Sequence, residues 1–346
     1  MENNGNRLLN KTKDIETMPI NQELLNLIAP QGIEIKSSRV QMGEFLSKIQ
    51  YVSGYPSRVN IGWLLNLKDI PNTIVSLVIT PIEDVQAFVE GVSNLFSEQN
   101  ALCYTLCCTN IEEEYRGLLD VVSRGFAGAI LHDLAEGVAL IELYNRLCRK
   151  LPLVIVHSFP ADLDCNSITV NQEKGMKDAM AYLLGLGHRK IAYVAGEAGY
   201  SFKLKEKIWQ EELEKIGLPP QKQDSIKAAN TDFISGIDTS RREVLKYFEN
   251  GNRPTAIFTA NDIMALGTLA ALNELGLRVP DDISLMSHDN TMFAKTYNLT
   301  CIDMKIKSVG IAAVDLLEYA VHGSDSTPRH ITISPELVIR TSCKAI

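Results

Sequence analysis

Short apolar runs alternate along this chain with longer stretches in which apolar positions recur every third or fourth residue. The short runs read as strands buried on both faces, the periodic stretches as helices that bury one stripe. From Thr73 onward the pattern predicts strands at 74–79, 102–108, 128–131 and 153–156, with helices at 85–99, 111–124 and 138–150 between them. The rhythm resumes with helices at 175–186, 201–216, 235–250, 262–275 and 308–322. The matching strands fall at 190–195, 226–229, 256–259, 283–287 and 336–340, with an extended stretch at 299–304. Regular strand–helix alternation implies a parallel sheet with helices on both faces. Two such halves in succession predict an α/β chain of two lobes, each a doubly wound parallel sheet, with a cleft between them. Upstream, 1–17 reads as a polar, frayed extension, 21–29 as a short helix, and 32–40 and 44–52 as strand-like. Together these predict a small separate N-terminal α+β segment.

Bulk properties narrow the function classes. The chain has 346 residues, enough for two or three compact units. Its net charge of −8 does not suit a general nucleic-acid binder. No apolar run is long enough to span a bilayer, and the polar N-terminus lacks the apolar core of a signal peptide. A cytoplasmic protein without membrane attachment is expected. Seven cysteines, odd in number and scattered, fit that compartment. Cys103, Cys107 and Cys108 lie on an apolar strand-like run without a Cys-x-x-Cys pair, so core packing is expected there and no metal. Gly185-x-Gly187 ends a helix and lacks a third glycine, so it is not a dinucleotide loop. No Gly-x-Ser-x-Gly, His-Glu-x-x-His or Gly-x-x-x-x-Gly-Lys-Ser/Thr motif occurs. Neither an enzyme nor a cofactor is expected.

The most informative stretch runs from Pro254 to Asn290. A buried strand ends at Thr259, Asn261-Asp262 opens a helix, and Gly276 ends it. Pro280-Asp281-Asp282 then turns into a strand that finishes at His288-Asp289-Asn290. Open α/β sheets bind ligands outside the carboxyl ends of their strands. Asp289 stands at such an end and is a candidate acceptor for two ligand hydroxyls; a turn cap is the alternative. Capping alone also explains Asn261 and Asp262. Trp209 is read as core packing ahead of a stacking ring.

Several further landmarks appear in order: Asn171-Gln172-x-x-Gly175, Leu186-Gly187-His188-Arg189-Lys190-Ile191-Ala192, Ser201, Trp209, Gly217-Leu218, Asn261-Asp262, Pro280-Asp281-Asp282-Ile283-Ser284 and Pro335-Glu336-Leu337-Val338-Ile339-Arg340-Thr341-Ser342. With these the chain resembles, over about 73–346, the effector-binding domain of the lac-repressor family of bacterial transcription regulators. That domain is itself similar to periplasmic sugar-binding proteins. The resemblance implies a two-lobed periplasmic-binding-protein-like fold, with an N-lobe of about 73–167 plus 303–325 and a C-lobe of about 168–300 plus 328–346. It implies crossings near 165–169, 297–303 and 324–329. A small polar effector, a sugar by preference, would sit between the lobes and shift them between two states. The residues it brings forward as ligand contacts are Thr80, His132, His157, Lys205, Asn261 and Asp289. It also implies a homodimer, to which Val85, Phe88, Val92 and Leu95 would contribute one face. Three departures stand out. Thr80-Pro81-Ile82-Glu83-Asp84 replaces an Asn-Pro-Phe-Phe stretch, Lys205 replaces a common arginine, and Lys305 replaces a common proline.

The DNA reader of that family is not recognisable. Ser53 to Asn66 is the nearest segment to a helix-turn-helix, but it aligns only with a slipped residue. Gly62 would fall inside its recognition helix at a cost of about 1 kcal/mol. The first 72 residues carry eight basic against seven acidic side chains, which is no phosphate-binding footprint. Residues 24–80, through Leu27-Ile28-Ala29-Pro30-Gln31-Gly32-Ile33 and Tyr55-Pro56-x-x-Val59-x-x-Gly62-Trp63-Leu64, resemble the N-terminal region of type IV secretion conjugation ATPases. The nucleotide-binding motor of those enzymes has no counterpart here. The expected function is a ligand-responsive regulator, with DNA as a partner that the N-terminal sequence does not support. The alternatives are a solute-binding protein for transport, which the absent signal peptide opposes, and a non-regulatory fusion with its seam near 72–83.

Overall fold

The computed structural model describes residues 75–80, 88, 90, 92, 102–107, 128–132, 141–157, 162–196, 200–228, 233–322 and 327–346. The expected N-terminal segment, the expected helix at 111–124 and most of the one at 85–99 lie outside them. The chain divides into two compact units. One holds the described residues up to Ile168 with Lys307–Ile331; the other is Thr169–Ile306 with Thr332–Ile346.

The first unit is built on six strands: β1 (Val75–Thr80), β2 (Leu102–Cys107), β3 (Gly128–His132), β4 (Leu153–His157), β5 (Asn166–Val170) and, late in the chain, β11 (His330–Ile333). They lie in the order β11-β5-β4-β3-β1-β2. The pairs β1–β2, β1–β3 and β3–β4 are parallel. Helix α1 (Ile141–Leu147) and the long α7 (Ile306–His322) belong largely to this unit. Leu317 of α7 packs where a Cβ on Gly128 would stand, so the helix approaches β3 closely.

The second unit has helices α2 (Gln172–Gly185), α3 (Tyr200–Lys215), α4 (Phe233–Glu249), α5 (Asp262–Glu274) and the short α6 (Met292–Thr296). Its strands are β6 (Ile191–Gly196), β7 (Ser225–Ala228), β8 (Ala256–Thr259), β9 (Ser284–Asp289), β10 (Thr300–Asp303) and β12 (Glu336–Val338). Their order is β12-β10-β9-β8-β6-β7; only β12 is shown antiparallel, against β10. β6 and β8 are buried along their whole length, as the uninterrupted apolar runs require of strands covered on both faces.

Helix ends follow local chemistry. The Asn261 side chain accepts from Met264 N–H and caps α5, and Asn171 accepts in the same way from Lys174 N–H for α2. Gly187 and Gly276 take positive φ just past α2 and α5. There the following N–H returns to a carbonyl of the last turn, from His188 to Leu183 and from Leu277 to Leu272. This explains the Leu186-Gly187-His188 landmark. His188 is fully buried, with Nδ1 at 3.0 Å from Thr255 Oγ1 and Nε2 at 3.0 Å from Ser284 Oγ and 3.1 Å from Lys344 O. One imidazole thereby ties the starts of β8 and β9 to the chain's C-terminus.

The α/β class and the parallel, doubly wound sheets match the expectation from alternation. Several elements differ. β5, β11 and α6 were not anticipated, and the closing strand stops at Val338. The expected strand to Arg340 ends early because the Arg340 backbone and side chain turn toward β10 and the β9 end: its N–H meets Thr300 Oγ1 and its guanidinium meets Asn290. The pairing face proposed for Val85, Phe88, Val92 and Leu95 is corrected in part. Phe88 and Val92 are fully buried within the chain itself, so they belong to its own core. Val85 and Leu95 lie outside the described residues. Trp209 is core: it is fully buried, stacks at 5.6 Å on Tyr193 and donates to Ile191 O.

Candidate functional site

In the second sheet β6 lies between β7 and β8, so the chain winds to one side after β6 and to the other after β7. Such a reversal opens a crevice at the carboxyl ends of the strands. The residues gathered at that edge come from the ends of β8 and β9 and from α3.

Lys205 reaches in from the second turn of α3. Its side chain is buried, Nζ donates to Ala260 O at 2.9 Å, and the Phe202 ring lies 5.7 Å away. Nζ also stands 3.3 Å from His288 Nδ1. That nitrogen is only 2.5 Å from Asp289 Oδ1. It cannot both donate to Asp289 and accept from Lys205. The shorter contact assigns the proton to Nδ1–H···Oδ1, which leaves Lys205 as a neighbouring charge. Burial first, then the Lys205 charge, hold the His288 imidazole below its ordinary value, so it is neutral near pH 7. His288 Nε2 is buried and has no partner among the described residues.

Asp289 is held below the usual carboxylate range. Burial pushes it up, but the Lys205 charge and His288 outweigh that and keep it anionic. Its side chain keeps 25% of its surface exposed while His288 keeps none. Oδ2 has no protein donor among the described residues. The backbone here is unusual: Asp289 has φ 101° and Asn290 φ 60°, both in the region L residues avoid. Such strain persists only where the surroundings over-determine it.

Asp262 supplies much of that constraint. Its Oδ1 accepts from Ser287 Oγ at 2.6 Å, and its Oδ2 accepts from Thr291 N and Oγ1, both at 2.7 Å. The first residue of α5 thus grips the chain on both sides of Asp289-Asn290. Burial, then the Asp289 charge, push the Asp262 carboxyl up to about 6. From the far side Arg340 donates to Asn290 Oδ1 at 2.6 Å and to Leu299 O at 2.6 Å.

Of the sequence-derived candidates, Lys205, Asn261 and Asp289 share this edge. Asn261 spends its oxygen on the α5 cap, 2.9 Å from Met264 N, and keeps its amide donors. Thr80, His132 and His157 end β1, β3 and β4, three neighbouring strands of the first sheet, at that sheet's carboxyl edge. The side chains of Thr80 and His157 lie outside what is described. The His132 ring packs 5.1 Å from Phe88, and burial lowers it to about 4, so it is neutral. His288, Thr291 and Arg340 were not singled out from sequence. His288 carried a signal, being a polar residue inside a buried strand run, but Lys205, which fixes its charge, is remote from it in sequence. Among the described residues no group of three or more His, Cys, Asp or Glu is placed to hold a metal, and no helix is long and apolar enough to cross a membrane.

Residues 180–343 match the model of a periplasmic binding protein-like domain. The HTH-type transcriptional repressor PurR of Vibrio vulnificus is 30% identical over 269 residues, covering 75% of this chain and 77% of its own length. The PurR repressor of Histophilus somni is 27% identical over 309 residues, covering 88% of this chain and 90% of its own. That share of the chain is larger than residues 75–346 make up. Among solved structures, a LacI family transcriptional regulator from Enterococcus faecium with bound ribose superposes with a TM-score of 0.67 at 19% identity, over 79% of this chain and 99% of that one.

Proposed function

The chain belongs to the lac-repressor (LacI) family of transcription regulators, and from that premise we propose that its second unit senses a small polar ligand, a sugar, through Asp289. The observation that carries this reading is one anionic carboxylate, part-exposed at the carboxyl end of β9, whose charge is kept by Lys205 and whose second oxygen has no protein donor among the described residues. A carboxylate accepts from two hydroxyls at once, and hydrogen bonds to a charged acceptor are about twice as strong as neutral ones. Vicinal hydroxyls of a sugar suit it. The ribose bound to the Enterococcus faecium regulator supports the same class.

Lys205 has a specific part in this reading. Its Nζ is committed to Ala260 O and lies against His288, so it sets the charge of Asp289 from behind. Asn261, with its amide donors, would meet a ligand acceptor. Thr80, His132 and His157, at the carboxyl edge of the first sheet, are proposed as further ligand contacts, each to be tested by its own substitution.

Thermal-shift measurements of the full chain against sugars, nucleosides and amino acids at millimolar concentration test the proposal. Stabilisation by a sugar, lost in Asp289→Asn, is expected. No stabilisation by any compound would count against a working ligand site. The proposed assembly is a homodimer, which sedimentation at micromolar concentration checks; monomer alone would refute it. DNA is the further proposed partner, because relatives named as HTH-type repressors match a share of this chain that takes in part of its first 74 residues. Titration with fragments from the gene's own neighbourhood decides. Nanomolar, sequence-selective binding would show that those residues read DNA, and its absence would leave a ligand sensor without a reader of its own.

A further inference from the structure

The first unit holds a cluster that ligand sensing does not use. Helix α1 ends at Leu147, and the turn after it carries Cys148 and Arg149. Residues 162–165 are fastened to this helix end. Asn145 Nδ2 donates to Asp162 O at 3.0 Å, and Asp164 N–H donates to Asn145 Oδ1 at 2.8 Å. Arg149 pairs with the Asp164 carboxylate at 3.0 Å. Cys148 Sγ lies 3.3 Å from Asn145 O and 3.5 Å from Asp164 O, the carbonyl bonded to the nitrogen of Cys165. That carbonyl leads directly into Cys165, so the Cys148 sulfur lies beside the Cys165 backbone. Cys148 is part-exposed and Cys165 is buried.

We propose that Cys148 and Cys165 form a peroxide-sensing dithiol, in which the accessible Cys148 is oxidised first and the buried Cys165 resolves it to a disulfide. The two thiols are chemically unequal in the sense this order needs. The neighbouring Cys165 thiol, and then the Arg149 charge, hold the Cys148 thiol below its ordinary range against burial and Asp164. The Cys148 thiol beside it, and then burial, push the Cys165 thiol far up. Sensor cysteines are accessible, rich in thiolate and poised beside a resolving partner.

The steps balance with hydrogen peroxide as oxidant. Cys148 sulfur attacks one peroxide oxygen, the O–O bond breaks, and water and a sulfenic acid form. Cys165 sulfur then attacks the sulfenic sulfur. The S–O bond breaks, the Cys165 proton leaves with the hydroxyl as a second water, and the S–S bond closes. Two thiols lose two electrons in all, and one peroxide gains them. The bond would join the end of α1 to the residue directly before β5. That strand carries the chain from the first unit to the second, which divide at Ile168 and Thr169. Oxidation would therefore place a covalent staple at a strand shared by both units.

The test uses the intact, fully reduced chain. It is treated with hydrogen peroxide, alkylated after unfolding and mapped by mass spectrometry without reduction. A Cys148–Cys165 peptide lighter by two hydrogens, abundant above every other pairing of the seven cysteines and reversed by dithiothreitol, is expected. In Cys165→Ser, Cys148 should be captured as a sulfenic acid by dimedone; in Cys148→Ser, Cys165 should survive as a thiol. Recovery of both as free thiols while other cysteines oxidise would overturn the proposal, as would equal linkage in chain oxidised while unfolded in urea. Dimedone labelling of Cys165 ahead of Cys148 would overturn the order of attack. The mapping of the unsubstituted chain stands if a variant fails to fold.

Discussion

Replacing Asp262 with Asn tests the clamp beneath Asp289 through its pH dependence. In the folded chain this carboxyl is pushed up to about 6 from 3.8, by burial and by the Asp289 charge, against three hydrogen bonds that favour the anion. A raised acid stabilises the fold most at low pH. Between 3.8 and 6 the folded chain keeps the proton that the unfolded chain releases, so stability falls as pH rises through this window. A difference of about two units corresponds to about 3 kcal/mol. Two of the three donors are hydroxyls, which can turn and accept from the protonated acid, so the clamp tolerates the neutral form. The amide side chain of the variant has no proton to release over this range. At pH 4, where the folded parent's carboxyl is protonated, the variant should be less stable, because its amide nitrogen cannot accept a hydrogen bond as the acid's second oxygen still can. That deficit should shrink by about 3 kcal/mol on going to pH 7. Urea unfolding followed by the fluorescence of the buried Trp209, with Trp63→Phe removing the chain's other tryptophan, reads this unit. A deficit that stays constant or grows from pH 4 to pH 7 would refute the reasoning.

Three further outcomes are expected. Gly267→Ala should destabilise by about 1–3 kcal/mol despite the better helix former, because the new Cβ would fall 2.3 Å from Ile237 O and 2.7 Å from Ser240 Cβ where α5 meets α4; a raised unfolding midpoint would contradict this close approach. Lys305→Pro should cost about 3 kcal/mol or more, because Lys305 holds φ 56° and donates its N–H to Asp303 Oδ1, neither of which proline can do; Lys305→Gly should be tolerated, and tolerance of both would remove the argument. Lys205→Met should raise the titration midpoints of both Asp289 and His288, read by NMR of the carboxylate and imidazole carbons, since the same charge depresses both; unmoved midpoints would show that Lys205 does not govern the pair.

Much of the second unit was legible in sequence because its instructions are local. Asn261 caps α5 three residues ahead, and Gly187 and Gly276 stop their helices through positive φ. The buried runs of β6 and β8 can only be strands covered on both faces. The elements missed lack such marks. β11 is an edge strand whose residues alternate between exposed and half-buried, and α6 is a single capped turn of five residues. Asp289 was visible as a polar residue at a strand end, but its conformation and charge were not. They depend on Asp262, Lys205 and Arg340, brought together from α5, α3 and the segment after β12 by tertiary packing. Lys305 shows the same limit in reverse. It looked like a lost proline, yet the left-handed backbone at that position excludes proline outright.

The central claim is that Asp289 is the charged acceptor of a sugar ligand. Its most direct test is titration calorimetry of the stabilising sugar against the parent chain and Asp289→Asn, both confirmed folded. Losing a hydrogen bond to a charged acceptor costs about 1.5–3 kcal/mol, so affinity should fall roughly ten- to a hundred-fold. Equal affinity in parent and variant would show that the ligand is held elsewhere and would contradict the account.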